Sequence, residues 1–154
     1  MHIELGRTTL RWLATLVLAG FASLAIAGEA GHVKTAKGSA QVERDGTRMP
    51  AVVGMAVLES DTLVTGADGS MGVTMTDNCL LSVGPNSVLA IEKYAFNSTT
   101  HAGNFDASLR KGTLAVVSGK MVKQTPGAMR VRTPAAIMGV RGTDFVVQVD
   151  DPAK

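Results

Sequence analysis

The sequence has one cysteine, few aromatic residues and no large excess of either charge among its 154 residues. Cys79 therefore has no partner for an intramolecular disulfide, whatever the redox compartment. Because only 4% of the residues are aromatic, a core must be built mainly from Val, Leu, Ile, Met and Ala. The net charge is +2 without a dominant cluster of Lys and Arg, whereas nucleic-acid binding usually shows as a basic patch. Nucleic acid is therefore not expected as a partner.

The chain contains enough apolar residues to fold around a core. Apolar residues make up 45% of the sequence and charged residues 18%, which is typical of a folded domain rather than a disordered chain. Glycine occurs 17 times and recurs at short intervals, a pattern that indicates tight turns between short strands.

The N-terminal segment, residues 1–27, is predicted to be a secretory signal peptide with a helical apolar stretch. Arg7 and Arg11 precede an almost unbroken apolar run, and Ala25-Ile26-Ala27 supplies the small residues that signal peptidase requires. The apolar run covers about 15 residues, whereas a membrane span needs roughly 20. Cleavage after Ala27 is therefore expected rather than a stable membrane span. Residues 28–154 are then the mature domain.

Apolar and polar residues alternate with a period of two through most of the mature chain, and this alternation predicts half-buried β-strands. Cys79 falls on the buried side of one such run and is expected to behave as a small apolar core residue. The buried side of each run is predicted to consist of Ala40 and Val42, Val73 and Met75, Cys79, Leu81 and Val83, Leu89 and Ile91, Phe105, Ala107 and Leu109, and Phe145, Val147 and Val149.

Turn-forming residues separate these runs and break the helical alternatives. Pro50 and Gly54 interrupt residues 49–58, and Ala135–Val140 is the one other segment apolar enough for a helical turn. The predicted turns lie at Asp45-Gly46, residues 66–69, Asp77-Asn78, residues 84–87 and Ser118-Gly119.

The pattern as a whole predicts an all-β single domain of about ten short strands with Gly-rich turns and at most one short helix. Two architectures fit: a jelly-roll-like sandwich of two sheets, or a β-solenoid-like coil with small residues at its corners. The polar segment of residues 97–104 is expected to be an exposed loop between two strands.

Two parts of the sequence carry a family resemblance. The first runs from Gly54 to Ser70 and continues through residues 77–87, and the second comprises residues 109–114 followed by 131–145. The second part contains Thr133-Pro134, then Val140-Arg141-Gly142-Thr143 and Phe145. In this order the motifs resemble the FecR family of periplasmic domains. The resemblance implies an all-β fold, a periplasmic location and a role in recognising a protein or ligand.

The best-known members of that family are transmembrane regulators that relay an outer-membrane iron-siderophore signal to a sigma factor, which they hold through a cytoplasmic segment. Here only about 11 residues precede the apolar stretch, too few for a protein interface of useful area. The sequence is therefore expected to encode a non-catalytic recognition module for an envelope protein or glycan. The alternative is an envelope-assembly component that self-associates through strand edges.

The segment of residues 133–145 is expected to form a corner of the core. Pro134 restricts its own backbone and that of Thr133, while Gly139 and Gly142 permit conformations that other residues resist. We expect Arg141 to be structural and to hydrogen-bond across this corner. Other possibilities are that it caps loop carbonyls, pairs with Asp144 or Asp61, or meets a partner. Arg141 and Asp144 are therefore the candidate partner-binding residues.

No catalytic, metal or cofactor site is expected. His32 and His101 have no Cys or His at ligand spacing, and both are expected to be exposed. The glycines at 66 and 69 lack the Lys and Ser/Thr of a phosphate-binding loop. No serine nucleophile is expected, because the G-x-S-x-G motif is missing around each of three serines: Ser82, Ser87 and Ser118.

Overall fold

Twelve β-strands and one short helix account for most of residues 28–151, the part of the chain that the computed structural model describes. The all-β class predicted from the sequence is confirmed, and the predicted signal peptide lies outside the described residues. The elements are β1 Glu29–Lys37, β2 Ala40–Arg44, β3 Thr47–Pro50, β4 Ala56–Leu58, β5 Thr62–Thr65, β6 Ser70–Met75, β7 Leu80–Val83, β8 Val88–Phe96, β9 Gly103–Val117, α1 Lys120–Gln124, β10 Met129–Arg132, β11 Ile137–Val140 and β12 Phe145–Val149.

The alternation in the sequence corresponds to the burial pattern of the strands. In β6, buried Met71, Val73 and Met75 alternate with half-buried neighbours.

The turn at Asp45-Gly46 joins β2 to β3, and both residues have positive φ angles, of 51° and 77°. This turn geometry matches the twist of a β-hairpin, as the Asp-Gly pair predicts.

The strands form one curled sheet whose two halves enclose a common core. Each half has β9 as a member, because β9 is long enough to pair with both. The first half has the strand order β4-β1-β6-β7-β9-β12, and the second has β3-β2-β5-β8-β9-β10-β11. All pairs are antiparallel except β10 with β9. Of the two predicted architectures, the sandwich is therefore nearer to the observed one.

Gly112 marks the change of partners along β9. Residues before it pair with β8 and β10, and residues after it pair with β7 and β12. Its φ angle is +91°, and a Cβ at this position would collide with Ser87. Glycine is required here for two reasons. The backbone is left-handed, and the turn that precedes β8 passes too close to Gly112 to leave room for a side chain.

The core is built mainly from aliphatic side chains and includes two aromatic rings that pack on each other. Phe105 is 1% exposed and meets the Tyr94 ring edge to face, with the ring centroids 5.3 Å apart. An aromatic pair of this geometry stabilises a fold by about 0.5–1.5 kcal/mol beyond the effect of its buried area.

Cys79 is 1% exposed, which confirms the predicted core position.

The one helix within residues 28–151 begins directly after the turn that the sequence predicted at Ser118-Gly119. The carboxylate of buried Asp77 accepts a hydrogen bond from the N–H of Met121 at 3.4 Å, and its backbone carbonyl accepts one from the N–H of Lys120 at 2.8 Å. The segment Ala135–Val140, predicted as the possible helical turn, instead contributes β11. Pairing with β10 gives its backbone groups partners that an isolated helical turn would lack.

The predicted loop at residues 97–104 is observed between β8 and β9, although β9 already begins at Gly103. His32 is exposed as expected. The expectation for His101 is wrong, because its ring is half-buried and stacks on Phe96 with centroids 6.1 Å apart.

Among residues 28–151, no helix is long and apolar enough to cross a membrane.

Candidate partner-binding site

Residues 133–145, expected to form a corner of the core, instead comprise the tip and outer strand of the β10–β11 hairpin (residues 129–140) and the loop that leads to β12. At the hairpin tip, Thr133 donates its N–H to the Ala136 carbonyl at 2.8 Å, and its Oγ1 accepts the N–H of Ala136 at 3.0 Å. Pro134 and Ala135 are exposed at the turn, and Val140 is the only buried residue between 133 and 145. The expectation of a core corner is therefore wrong. Most of the segment is exposed because β11 pairs only with β10, at the end of its half of the sheet.

The two candidate partner-binding residues, Arg141 and Asp144, differ in the contacts that they make. Arg141 is exposed, and within residues 28–151 its side chain makes no hydrogen bond or ion pair, so the predicted bond across a corner is wrong. Asp144 is also exposed, but its Oδ1 accepts the N–H of Ser118 at 3.2 Å. Ser118 Oγ donates to the Thr143 carbonyl at 2.7 Å. Asp144 thus helps to fix the loop before β12, whereas Arg141 is left facing solvent.

A cleft opens between the β10–β11 hairpin and β12, and we call it the hairpin cleft. The two walls diverge because the hairpin pairs with the first part of β9 and β12 pairs with the second. The opening near the hairpin tip has a volume of about 360 Å³ and is lined by Arg110, Thr133, Pro134, Ala135, Gln148, Val149 and Asp150. The opening near the hairpin base has a volume of about 230 Å³ and is lined by Met138, Gly139, Val140, Thr143, Phe145, Val146 and Val147.

The walls of the hairpin cleft are apolar and its ends are charged. Neither β11 nor β12 contains a charged residue. At the tip end, Arg110 is exposed and forms no ion pair within the described range, and Asp150 Oδ1 accepts a hydrogen bond from Gln148 Nε2 at 3.1 Å. Sequence reasoning missed Arg110 and Asp150 as site residues. No pattern in the neighbouring sequence places either residue at this cleft.

The two strands beside the cleft are also the least protected edges of the described sheet. The opposite edges are β3, which carries Arg48 and Pro50, and β4, which has only three residues. Charges, proline and shortness are devices that prevent a sheet edge from pairing with another strand. Neither β11 nor β12 carries a charge or a proline, so these two strands lack such protection.

Two buried side chains with nucleophilic atoms, Cys79 and Ser87, have surroundings that suit a structural role. Burial, helped by the nearby Asp77 carboxylate, raises the pKa of the Cys79 thiol to about 12. A thiol with such a pKa is a poor nucleophile at neutral pH. Ser87 is fully buried, and its Oγ accepts the N–H of Thr113 at 2.9 Å, so it supports the bend at Gly112. No group of three or more His, Cys, Asp or Glu side chains within residues 28–151 is arranged to hold a metal ion.

The sequence model of the FecR protein family matches residues 61–154, more than half of the chain. The chain belongs to the FecR family. Searches of curated proteins and of solved structures found no match. A FecR domain indicates a module related to regulation and signal transduction.

The FecR match begins at the start of β5, but the strands before it belong to the same fold. β1 lies between β4 and β6, and β2 lies between β3 and β5. Residues 29–58 therefore share the core of the matched FecR region. The hairpin cleft lies within the matched residues, and its walls include the motif from Thr133-Pro134 to Phe145.

Proposed function

We propose that this FecR-family chain is a periplasmic recognition module that binds an envelope protein without catalysing a reaction on it. The observation that carries the proposal is the exposure of the family motif. Pro134 and Ala135 at the hairpin tip and Arg141 directly after β11 all face solvent, and the motif borders an apolar cleft. Exposed residues that no packing requirement explains are the usual place for binding.

Site-specific photo-crosslinking tests this proposal in cells. A benzophenone amino acid at Ala135 stands at the hairpin tip, and the same residue at Val53 serves as the control. Val53 is 65% exposed in the loop between β3 and β4, away from the cleft. We expect a discrete crosslinked partner from position 135 alone. Equal adducts from both positions, or none from position 135, would contradict the proposal.

The location in the periplasm rests on the predicted signal peptide, and it has a separate test. Osmotic-shock fractionation should release the protein with a mature N-terminus at Gly28, which is the first residue after the expected cleavage point. Retention of residues 1–27 in the membrane fraction would contradict export as a cleaved protein.

Self-association through strand edges is the second candidate function, and the free, uncharged edges of β11 and β12 favour it. An unprotected edge can pair with a second copy of the same chain. Light scattering on the mature protein separates the two candidates. A monomer across the accessible concentration range excludes self-association and leaves the recognition proposal intact.

A further inference from the structure

The edge of β12 combines an uncharged strand with an acidic residue at each end. The five residues Phe145–Val149 are uncharged, and Asp144 and Asp150 stand immediately before and after them. Because side chains alternate along a strand, both carboxylates share the outer face with Val146, which is 69% exposed.

The two carboxylates have no cationic partner within residues 28–151. Arg141 and Arg110 lie near the two ends of β12, but neither forms an ion pair with Asp144 or Asp150. Each carboxylate accepts one neutral hydrogen bond, from the Ser118 N–H or the Gln148 side chain. Both charges therefore remain available to a strand that pairs with the free edge of β12.

We infer that β12 is a docking edge for an extended segment of another protein, consisting of five uncharged residues with a Lys or Arg at each end. The inference rests on the proposed function and identifies the chemistry of its partner. In antiparallel pairing, the basic residues lie directly opposite Asp144 and Asp150. Backbone hydrogen bonds supply the affinity and the two charge pairs select the register.

The same acidic residues act against a second copy as the occupant. When β12 pairs antiparallel with β12 of a second copy over its full length, Phe145 lies opposite Val149. Asp144 then lies opposite Asp150, and symmetry creates this contact twice. Like charges directly opposite each other destabilise a strand pair. A foreign strand with basic ends avoids this repulsion and gains attraction instead.

Fluorescence anisotropy with three labelled, C-terminally amidated peptides tests the inference on the mature protein. The first is Lys-Thr-Val-Thr-Val-Thr-Lys, the second replaces both Lys with Glu, and the third places Pro at the central Thr. We expect the second peptide to bind about 3- to 30-fold more weakly, the size expected for two directly opposite charge pairs. The third should bind least, because proline removes a backbone donor and disfavours strand pairing.

Two substitutions and one control make the test specific to this edge. Asp150→Lys should weaken the Lys-ended peptide and strengthen the Glu-ended one. Val146→Lys should weaken all binding, because a lysine on an edge blocks strand addition. Val53→Lys adds the same charge at a similarly exposed valine far from the cleft and should change nothing.

Four outcomes overturn the inference, three from the peptides and one from the oligomeric state. The peptide outcomes are equal binding of the Lys-ended and Glu-ended peptides, binding of the proline peptide at parent affinity, and no binding up to about 1 mM. A dimer that Val146→Lys converts to a monomer also overturns it, since a second copy then occupies the edge. Crosslinking at Ala135 that persists despite failed peptide binding leaves the proposed function standing and places recognition outside β12.

Discussion

Arg44 on β2 holds the buried carboxylate of Asp61 through two parallel hydrogen bonds, from Nε at 2.8 Å and from Nη2 at 2.7 Å. Asp61 is 1% exposed and also accepts the N–H of Leu58 at 2.8 Å. The Arg44 guanidinium additionally donates to the Ala56 carbonyl. One ion pair thus joins β2 to the end of β4 and to the turn that precedes β5.

Replacing Arg44 with Met should lower the free energy of unfolding by about 1–3 kcal/mol, because it leaves the buried Asp61 carboxylate unpaired. The matched control is Arg48→Met, which breaks an exposed pair with Glu43 and should cost less than about 0.5 kcal/mol. Urea unfolding of both variants measures the difference. Equal midpoints would show that the Arg44–Asp61 pair adds nothing beyond a surface contact.

Gly112→Ala should destabilise the fold by about 2 kcal/mol or more, since the backbone is left-handed and the added methyl meets Ser87. Gly139→Ala is the control, because a Cβ there meets nothing within 4 Å and its φ is not in the left-handed range. Thermal unfolding should show a large decrease for the first variant and almost none for the second. A tolerated Gly112→Ala would mean that the bend in β9 does not depend on glycine.

Tyr94→Phe should loosen the attachment of α1. The Tyr94 hydroxyl accepts the N–H of Asp77 at 3.1 Å and donates to Asp77 Oδ1 at 3.2 Å, and Asp77 in turn anchors the start of the helix. Loss of the hydroxyl leaves buried polar groups unpaired, at a cost of about 1–3 kcal/mol. Amide hydrogen exchange should accelerate selectively in Lys120–Gln124. The control is Thr76→Val, because the exposed Thr76 Oγ1 lies 2.9 Å from the Tyr94 hydroxyl but does not contact α1. It should leave this exchange nearly unchanged.

Stability should fall in alkaline solution, and Cys79 should account for part of the fall. The pKa of its thiol rises from 9.0 to about 12 on folding, chiefly because of burial. Below pH 9 both states keep the proton, so the thiol adds no pH dependence. Between pH 9 and about 12 the unfolded state loses the proton first, so stability decreases by at most about 1.4 kcal/mol per pH unit.

The Cys79→Ala variant isolates this contribution. Its unfolding free energy should decline less steeply above pH 9 than that of the wild-type protein. Burial also raises the pKa of Tyr94, so a residual decline is expected in both proteins. Identical slopes for the two proteins would show that the Cys79 thiol does not titrate differently on folding.

The local features of this fold were predictable because they depend on neighbours in the sequence. Period-two alternation identified buried residues such as Val73, Leu81 and Leu109, and the Asp45-Gly46 pair identified a hairpin turn. The position of the helix was not predictable in this way. Five residues have almost no helical stability of their own, so α1 depends on Asp77, more than forty residues earlier in the chain.

The candidate site was predictable only in part. The motif from Thr133 to Phe145 includes Asp144, which lies at one end of the proposed docking edge. The expectation that Arg141 hydrogen-bonds across a corner failed, because a basic residue between Val140 and Gly142 has the same local sequence pattern in a corner or beside a hairpin. Arg110 and Asp150 were missed because nothing near them in sequence indicates that they line one cleft.

The sequence by itself determined that this chain is an all-β member of the FecR family with an aliphatic core and glycine-rich turns. Only the tertiary structure decided that β9 serves both halves of the sheet, that Arg44 reaches Asp61, and that β11 and β12 keep free edges. Alternation and turn residues are properties of adjacent positions. Strand order, ion pairs and exposed edges depend on which distant segments pair, and that choice is made by the packing of the whole core.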